Sequence, residues 1–218
     1  MDTGEGEDGT LQGMLEGLWM RHTHSGAWAC ANMSNKHLTK LLYSGLGIRT
    51  PPWRFCGTDY GQLGKKLVAK PHDGGGKRGL NIATPAHDDE GLLYENLIPG
   101  TLELSVCVIG HSSVITLTPN VRRRDVKRIG ILEASDTRLP RRTEKLCMNA
   151  AATIHETLGA FGVTKTDFVI DPNGDAWALE TDAHPGLGRA RAAATQAARA
   201  GFTYREFIHL ILKEYVGK

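Results

Sequence analysis

With 218 residues the chain is long enough to bury a substantial core, as one large domain or two small ones. Its 40% hydrophobic and 23% charged composition is ordinary for a soluble globular protein, and a net charge of +2 gives no general pull toward nucleic acid or membrane. No apolar run approaches the ~18 residues of a membrane span, and the acidic start Met1-Asp2-Thr3-Gly4-Glu5 lacks an apolar h-region, so no signal peptide is expected.

Cys30, Cys56, Cys107 and Cys147 are far apart and form no CxxC, which suits reduced thiols and a cytoplasmic protein. Met1 to Gly9 is Gly-rich and acidic, hence a loop. Thr10 is placed to cap a helix through Leu11, Met14, Leu15 and Leu18. Ser34 to Gly45 predicts a second helix, capped by Ser34 or Asn35, with Leu38, Leu41 and Leu42 as its apolar positions. Pro51-Pro52 ends that region and starts an extended one.

Lys66 to Pro71 predicts a short strand, and Leu80 to Ala83 another. Between them Gly74, Gly76 and Gly79 match G-x-G-x-x-G. A dinucleotide fold needs a helix straight after such glycines, and here a strand follows. A Walker A loop fails too, because Lys77 is followed by Arg78. The better fit is a hairpin whose bare backbone amides, at Gly74, Gly75, Gly76 and Lys77, close over phosphates, with Lys70 reaching a phosphate oxygen. A plain polar turn is the local alternative. Gly91 to Ile98 and Leu102 to Ile109 predict a strand, a turn and a strand, and Val114 to Leu117 continues the sheet. Asn120 to Arg128 carries Arg122, Arg123, Arg124, Lys127 and Arg128. It reads as a solvated basic loop or as a funnel for anionic substrates. It has no interleaved aromatics for nucleic acid.

Helical spacing returns over Glu144 to Leu158, over Arg189 to Arg199, and after Thr203, which is placed to cap the last helix. The nine histidines show no ligand spacing, and His155 reads as a surface or core residue. Between those helices lies the stretch Thr164 to Gly186. Asp171-Pro172-Asn173-Gly174 has turn chemistry between two apolar runs, so a hairpin is expected. Alternate side chains of a strand share a face, which puts Glu180 and Asp182 together beside Ala178. With Asp171 paired to Gly174, Asp167 lies across from Ala178 on the same face, and Lys165 joins it. Three crowded carboxylates call for a hard divalent cation, Mg²⁺ above all. A solvated face of ordinary acids is the bland alternative.

These pieces in this order resemble the ATP-grasp superfamily, and the D-alanine–D-alanine ligase family most closely, over nearly the whole chain. Gly6-Glu-Asp-Gly-Thr-Leu-Gln12 looks like the family's GEDGxxQ segment. Lys36 lies where its first nucleotide-binding lysine falls, and Lys70-Pro71 matches the second. Glu95-Asn96-Leu97-Ile98 resembles the hinge whose backbone meets adenine, and Glu103 lies where a ribose-binding acid is expected. Lys165-x-Asp167 resembles Arg-x-Asp. Glu180-Thr-Asp182-Ala-His-Pro-Gly186 resembles Glu-x-Asn-x-x-Pro-Gly. The resemblance implies ATP and two Mg²⁺ as cofactors, metal ligands Asp167, Glu180 and Asp182, and catalytic roles for Lys70 and Lys165. It places Glu7, Gly186 and Arg191 at the substrates.

There are departures. Gly76 stands where the ligases carry a catalytic serine. Lys165 replaces an arginine, without its bidentate fork. Asp182 replaces a metal-binding asparagine, and Arg191 a serine that meets the second substrate's carboxylate. The family chain begins about one small lobe earlier. The implied fold is therefore α+β, an ATP-grasp fold truncated at the N-terminus. Residues 1–30 would be a remnant of the first lobe, its last helix and strand. Residues 31–93 would form the lid subdomain and 94–218 the C-terminal subdomain. The implied function is an ATP-dependent carboxylate–amine ligase acting on small amino-acid-like molecules, and apolar surface left where the missing lobe would pack predicts a homodimer through the N-terminal segment. A nucleotide-binding pseudo-ligase with a regulatory role is the alternative.

Overall fold

The computed structural model describes residues 6–73, 81–83, 91–125, 130–134 and 138–216. Gly74, Gly75, Gly76, Lys77, Arg78 and Gly79 lie outside the described residues, as do Lys127 and Arg128.

Three helices come first: α1 (Thr10–Gly17), α2 (Ala27–Ser34) and α3 (Lys36–Gly45). Gly9 enters α1 at φ +92°, and a Cβ there would lie 2.4 Å from Ala27 O. Glycine thus satisfies both the left-handed backbone and the close approach of α1 to α2. Thr10 is the first residue of α1 rather than its cap, and its N–H donates to Asp8 Oδ1 at 2.8 Å. Met14 and Leu18, expected inward, are 62% and 69% exposed, and Gln12 is the buried residue. The second element is a helix, where a strand was implied.

Asn35 caps α3 as expected, its side chain accepting from His37 N and Leu38 N at 3.1 Å each. The inward face is not the leucine face. Lys36, Thr39, Lys40 and Tyr43, at helical spacing, are buried, while Leu38 and Leu41 are exposed. These polar groups find partners inside. Thr39 Oγ1 donates to Asn32 O at 2.7 Å, and Tyr43 Oη shares a 2.6 Å hydrogen bond with Thr181 Oγ1.

A small antiparallel sheet follows, built from β1 (Trp53–Phe55), β2 (Thr58–Tyr60), β3 (Leu67–Pro71), β4 (Asn81–Ala83) and β5 (Leu92–Asn96). Its order is β2-β1-β5-β3-β4, so the sheet continues past residue 93, the expected edge of the lid.

The large sheet contains β6 (Leu102–Gly110), β7 (Val114–Thr116), β8 (Asn120–Asp125), β9 (Gly130–Ala134), β10 (Val163–Ile170) and β11 (Ala176–Asp182). The order is β11-β10-β6-β8-β9, with β7 also on β6, all antiparallel. Helix α4 (Arg141–Thr157) covers one face; α5 (Ala192–Arg199) and α6 (Tyr204–Val216) cover the other. The period-two pattern of β6 divides between them. Leu104, Val106 and Val108 pack with α2, α3 and α4, and Cys107 and Ile109 pack with Phe207 and Ile211.

The expected basic loop is a strand over Asn120–Asp125. Arg124 is buried and donates to Ile98 O at 3.0 Å. Pairing with β6 satisfies a backbone that a solvated loop would leave to water. Thr203 caps α6 as expected: its Oγ1 accepts from Glu206 N at 3.2 Å, and Glu206 Oε2 accepts from Thr203 N at 2.7 Å. His155 is a core residue. Its Nε2–H donates to Gly110 O at 3.0 Å, leaving Nδ1 to accept from Thr164 Oγ1 at 2.8 Å, and burial lowers its pKa.

Candidate active site

The carboxylate face depends on two irregularities in one hairpin. Gly174 N donates to Asp171 O at 2.9 Å with Gly174 at φ +85°, as a type I turn closed by a left-handed glycine requires. Asp171 N then bonds Asp175 O, one residue further than the expected pairing. That single step would turn Glu180 and Asp182 away from Asp167. A bulge restores them: Phe168 pairs with Ala178, but Asp167 pairs with Glu180 and Lys165 with Asp182. The acids therefore do share a face, and Ala178, expected beside them, lies in the core instead. The segment after α3 fastens the bulge. Ala178 N donates to Arg49 O at 2.8 Å, and Thr50 Oγ1 donates to Ala178 O at 2.9 Å.

On that face Ser105 Oγ donates to Asp167 Oδ1 at 2.7 Å. Lys165 Nζ lies 3.1 Å from Asp167 Oδ2 and 3.8 Å from Asp182 Oδ2. Asp167, with help from Asp182 and Glu180 and against burial, holds the Lys165 ammonium far above its ordinary pKa. Burial raises the Asp182 carboxyl in spite of Lys165 and of a 2.8 Å hydrogen bond from His184 N. At Asp182, then, burial prevails over the neighbouring ammonium of Lys165. Among the described residues no three His, Cys, Asp or Glu side chains are arranged so that they could hold a metal ion by themselves. The all-oxygen donors and the excess negative charge fit a hard cation that completes its shell from another source, such as phosphate.

A second cluster is cationic. Glu95, on β5, is buried, with Oε2 2.7 Å from Lys40 Nζ and Oε1 2.7 Å from Lys70 Nζ. Burial pushes Glu95 upward, but the two lysines outweigh it and hold the carboxyl at about 2. Burial lowers Lys40 to about 8 against the pull of Glu95. Lys36 is lowered by burial and by Lys70, and feels Glu180, Asp73 and Glu95 as opposing charges. Lys36 therefore feels charges of both clusters, Lys70 and Glu95 on one side and Glu180 on the other.

Within the hinge segment, Asn96 N and Leu97 N already donate to Pro52 O and Lys66 O, at 2.9 and 3.0 Å. Glu103 stands on β6 opposite Arg122. Gln12 Nε2 donates to Gly6 O at 2.9 Å and lies 3.1 Å from His184 Nε2, which ties the segment holding Glu7 to the chain just after Asp182. Arg191 precedes α5, and a Cβ on Gly186 would sit 3.2 Å from its Cγ. Sequence reasoning missed Lys40, Ser105 and His184. A signal existed for Lys40, four residues after Lys36 and so on the same helical face. Ser105 and His184 had none.

A domain model described as an ATP-grasp domain matches residues 33–178, which defines the class. A D-alanine–D-alanine ligase of Erythrobacter litoralis is 31% identical over 95% of this chain and 73% of its own length. One from Gloeobacter violaceus is 28% identical over 95% and 78%. The fold matches the D-alanine–D-alanine ligase of Bacillus anthracis complexed with ATP, with a TM-score of 0.79 and 22% identity over 97% of this chain and 75% of that one. It also matches the VanG D-Ala:D-Ser ligase of Enterococcus faecalis, with a TM-score of 0.83 and 20% identity over 98% and 70%. The chain belongs to the D-alanine–D-alanine ligase family of ATP-grasp ligases.

Proposed function

We propose that the protein joins a carboxylate to an amine at the expense of ATP, through an acyl phosphate. The observation that carries this reading is the pair of ion clusters, Glu95 held 2.7 Å from both Lys40 and Lys70, and Lys165 held 3.1 Å from Asp167 and 3.8 Å from Asp182, in a chain that an ATP-grasp domain model matches. Lys36 and Lys70 would neutralise phosphate oxygens, with Gly74 to Lys77 closing over them. Asp167, Glu180 and Asp182 would hold Mg²⁺, which supplies charge neutralisation at the phosphates. The substrate carboxylate attacks the γ-phosphorus and ADP leaves. The amine then attacks the acyl carbon, loses a proton, and expels inorganic phosphate. Lys165 steadies the tetrahedral oxyanion as a point charge, and Arg191 offers a guanidinium to a substrate carboxylate. Positioning and charge neutralisation are the enzyme's main contributions, and no protein nucleophile is required.

The test is incubation with ATP, Mg²⁺ and a panel of amino acids. Release of ADP and phosphate above an Asp167→Ala control is the expected result. Tight ATP–Mg²⁺ binding with no turnover on any pair would replace this reading with the pseudo-ligase one. The pairing of Lys165 with both Asp167 and Asp182 is the observation favouring that second reading. No described helix is long and apolar enough to cross a membrane. The exposed Met14, Leu18, Trp19, Met20 and Trp28 on α1, α2 and their link support self-association as a homodimer. A monomer at micromolar concentration in light scattering would refute that.

A further inference from the structure

Lys40 is a buried charge that the mechanism leaves without a task. Its side chain is wholly enclosed. Nζ lies 2.7 Å from Glu95 Oε2, 2.8 Å from Thr50 Oγ1 and 3.2 Å from Pro51 O, with the Trp53 ring centroid 5.3 Å away. Three acceptors match the three hydrogens of an ammonium, so none remains for a ligand. Lys70 differs. Its one ion pair among the described residues is with Glu95 Oε1, at 2.7 Å.

We infer that Lys40 is a positioning residue for nucleotide binding, which keeps Glu95 neutralised and fixed so that Lys70 can exchange that carboxylate for a phosphate. The inference rests on the ATP-binding reading above. Its logic is a charge count at the moment of exchange. With Lys40 present, departure of Lys70 leaves Glu95 with a full counter-ion. Without Lys40, the same departure strands a buried carboxylate beside an incoming polyanion. A buried charge stripped of its partner is among the costliest defects a protein can carry. Lys40 also steadies the opposite cluster. It donates to Thr50 Oγ1, which in turn donates to Ala178 O at the bulge that orients Glu180.

Calorimetric titration with a non-hydrolysable ATP analogue and Mg²⁺, and separately with AMP, tests this on the full chain. Lys40→Met is expected to weaken the ATP analogue ~100-fold, the size expected when a buried pair is broken, and to leave AMP within about threefold, since AMP lacks the outer phosphates. The double variant Lys40→Met/Glu95→Gln has no carboxylate to strand and is expected to recover to within ~10-fold of the unaltered chain. A purely structural role for Lys40 would weaken both nucleotides alike and would not be rescued. Equal affinity for the ATP analogue in Lys40→Met and the unaltered chain overturns the inference while leaving the ATP reading intact. No binding by the unaltered chain overturns both. Should Lys40→Met alone not fold, the double variant carries the test: recovered binding supports the inference, and loss of binding in a folded double variant overturns it.

Discussion

The two halves of the site are near mirror images in charge. Under the small sheet the ammonium groups of Lys40 and Lys70 pair with the carboxylate of Glu95, whose charge also acts on Lys36. On the large sheet the carboxylates of Asp167 and Asp182 share the ammonium of Lys165, with Glu180 paired across the hairpin from Asp167. The cationic half is dry and closely paired, while the Asp182 side chain keeps 34% of its surface exposed. Each half carries an excess that the other cannot cancel at a distance. A bound triphosphate with its metal offers both signs at once, negative toward the lysines and positive toward the acids. Opposed excesses of this kind disfavour an empty site and favour a filled one.

Four substitutions would break or sharpen this comparison. Asp167→Ala strikes the anionic half hardest, removing the acid that anchors both Ser105 and Lys165. Ligase turnover, read as ADP release at saturating ATP, is expected to fall by about 10³-fold, the scale of losing a preorganised electrostatic contact.

Glu95→Gln strikes the cationic half through stability. The folded-state pKa of Glu95, about 2, lies below its ordinary 4.5. The native state therefore binds fewer protons than the unfolded chain in that window. The stabilisation is complete above pH 4.5 and is lost as pH falls toward 2. Its size is on the order of 3 kcal/mol. Urea midpoints measured between pH 6 and 2.5 should fall less steeply in Glu95→Gln than in the unaltered protein. Equal slopes would mean that Glu95 is not the buried anion described here.

On the proposed reading Lys70→Met would remove one charge-assisted contact to phosphate, and ATP affinity by calorimetry should drop roughly 30-fold. Ser105→Ala removes only the hydrogen bond that orients Asp167. Its expected cost is about 1 kcal/mol in kcat/KM. A Ser105→Ala effect as large as that of Asp167→Ala would mean that orientation, not charge, dominates the acidic half.

Several strands, the turn at Asp171–Gly174, the caps Asn35 and Thr203 and the sharing of a face by the acids were legible, whereas Asn120–Asp125 read as a loop and is a strand. These depend on local rules: proline and glycine backbone limits, side-chain acceptors at helix starts, and the period of two. The face was reached by the wrong register, because counting from the turn does not reveal two compensating extra residues. The inward side of α3 was misread for a related reason. Leu38 and Leu41 look like core positions to a pattern that scores hydrophobicity. Lys36 and Lys40 are buried only because acidic and hydroxyl groups far away in sequence are waiting for them.

The amino-acid sequence by itself determined the central turn, the helix caps and most of the helices and strands, the family to which the chain belongs, and which residues carry charge. Only the tertiary structure decided which charges meet. Lys40 and Glu95 are 55 positions apart, and Ser105 and Asp167 62 apart. Such pairings are worth forming only where several elements together exclude water, and no local window contains that condition.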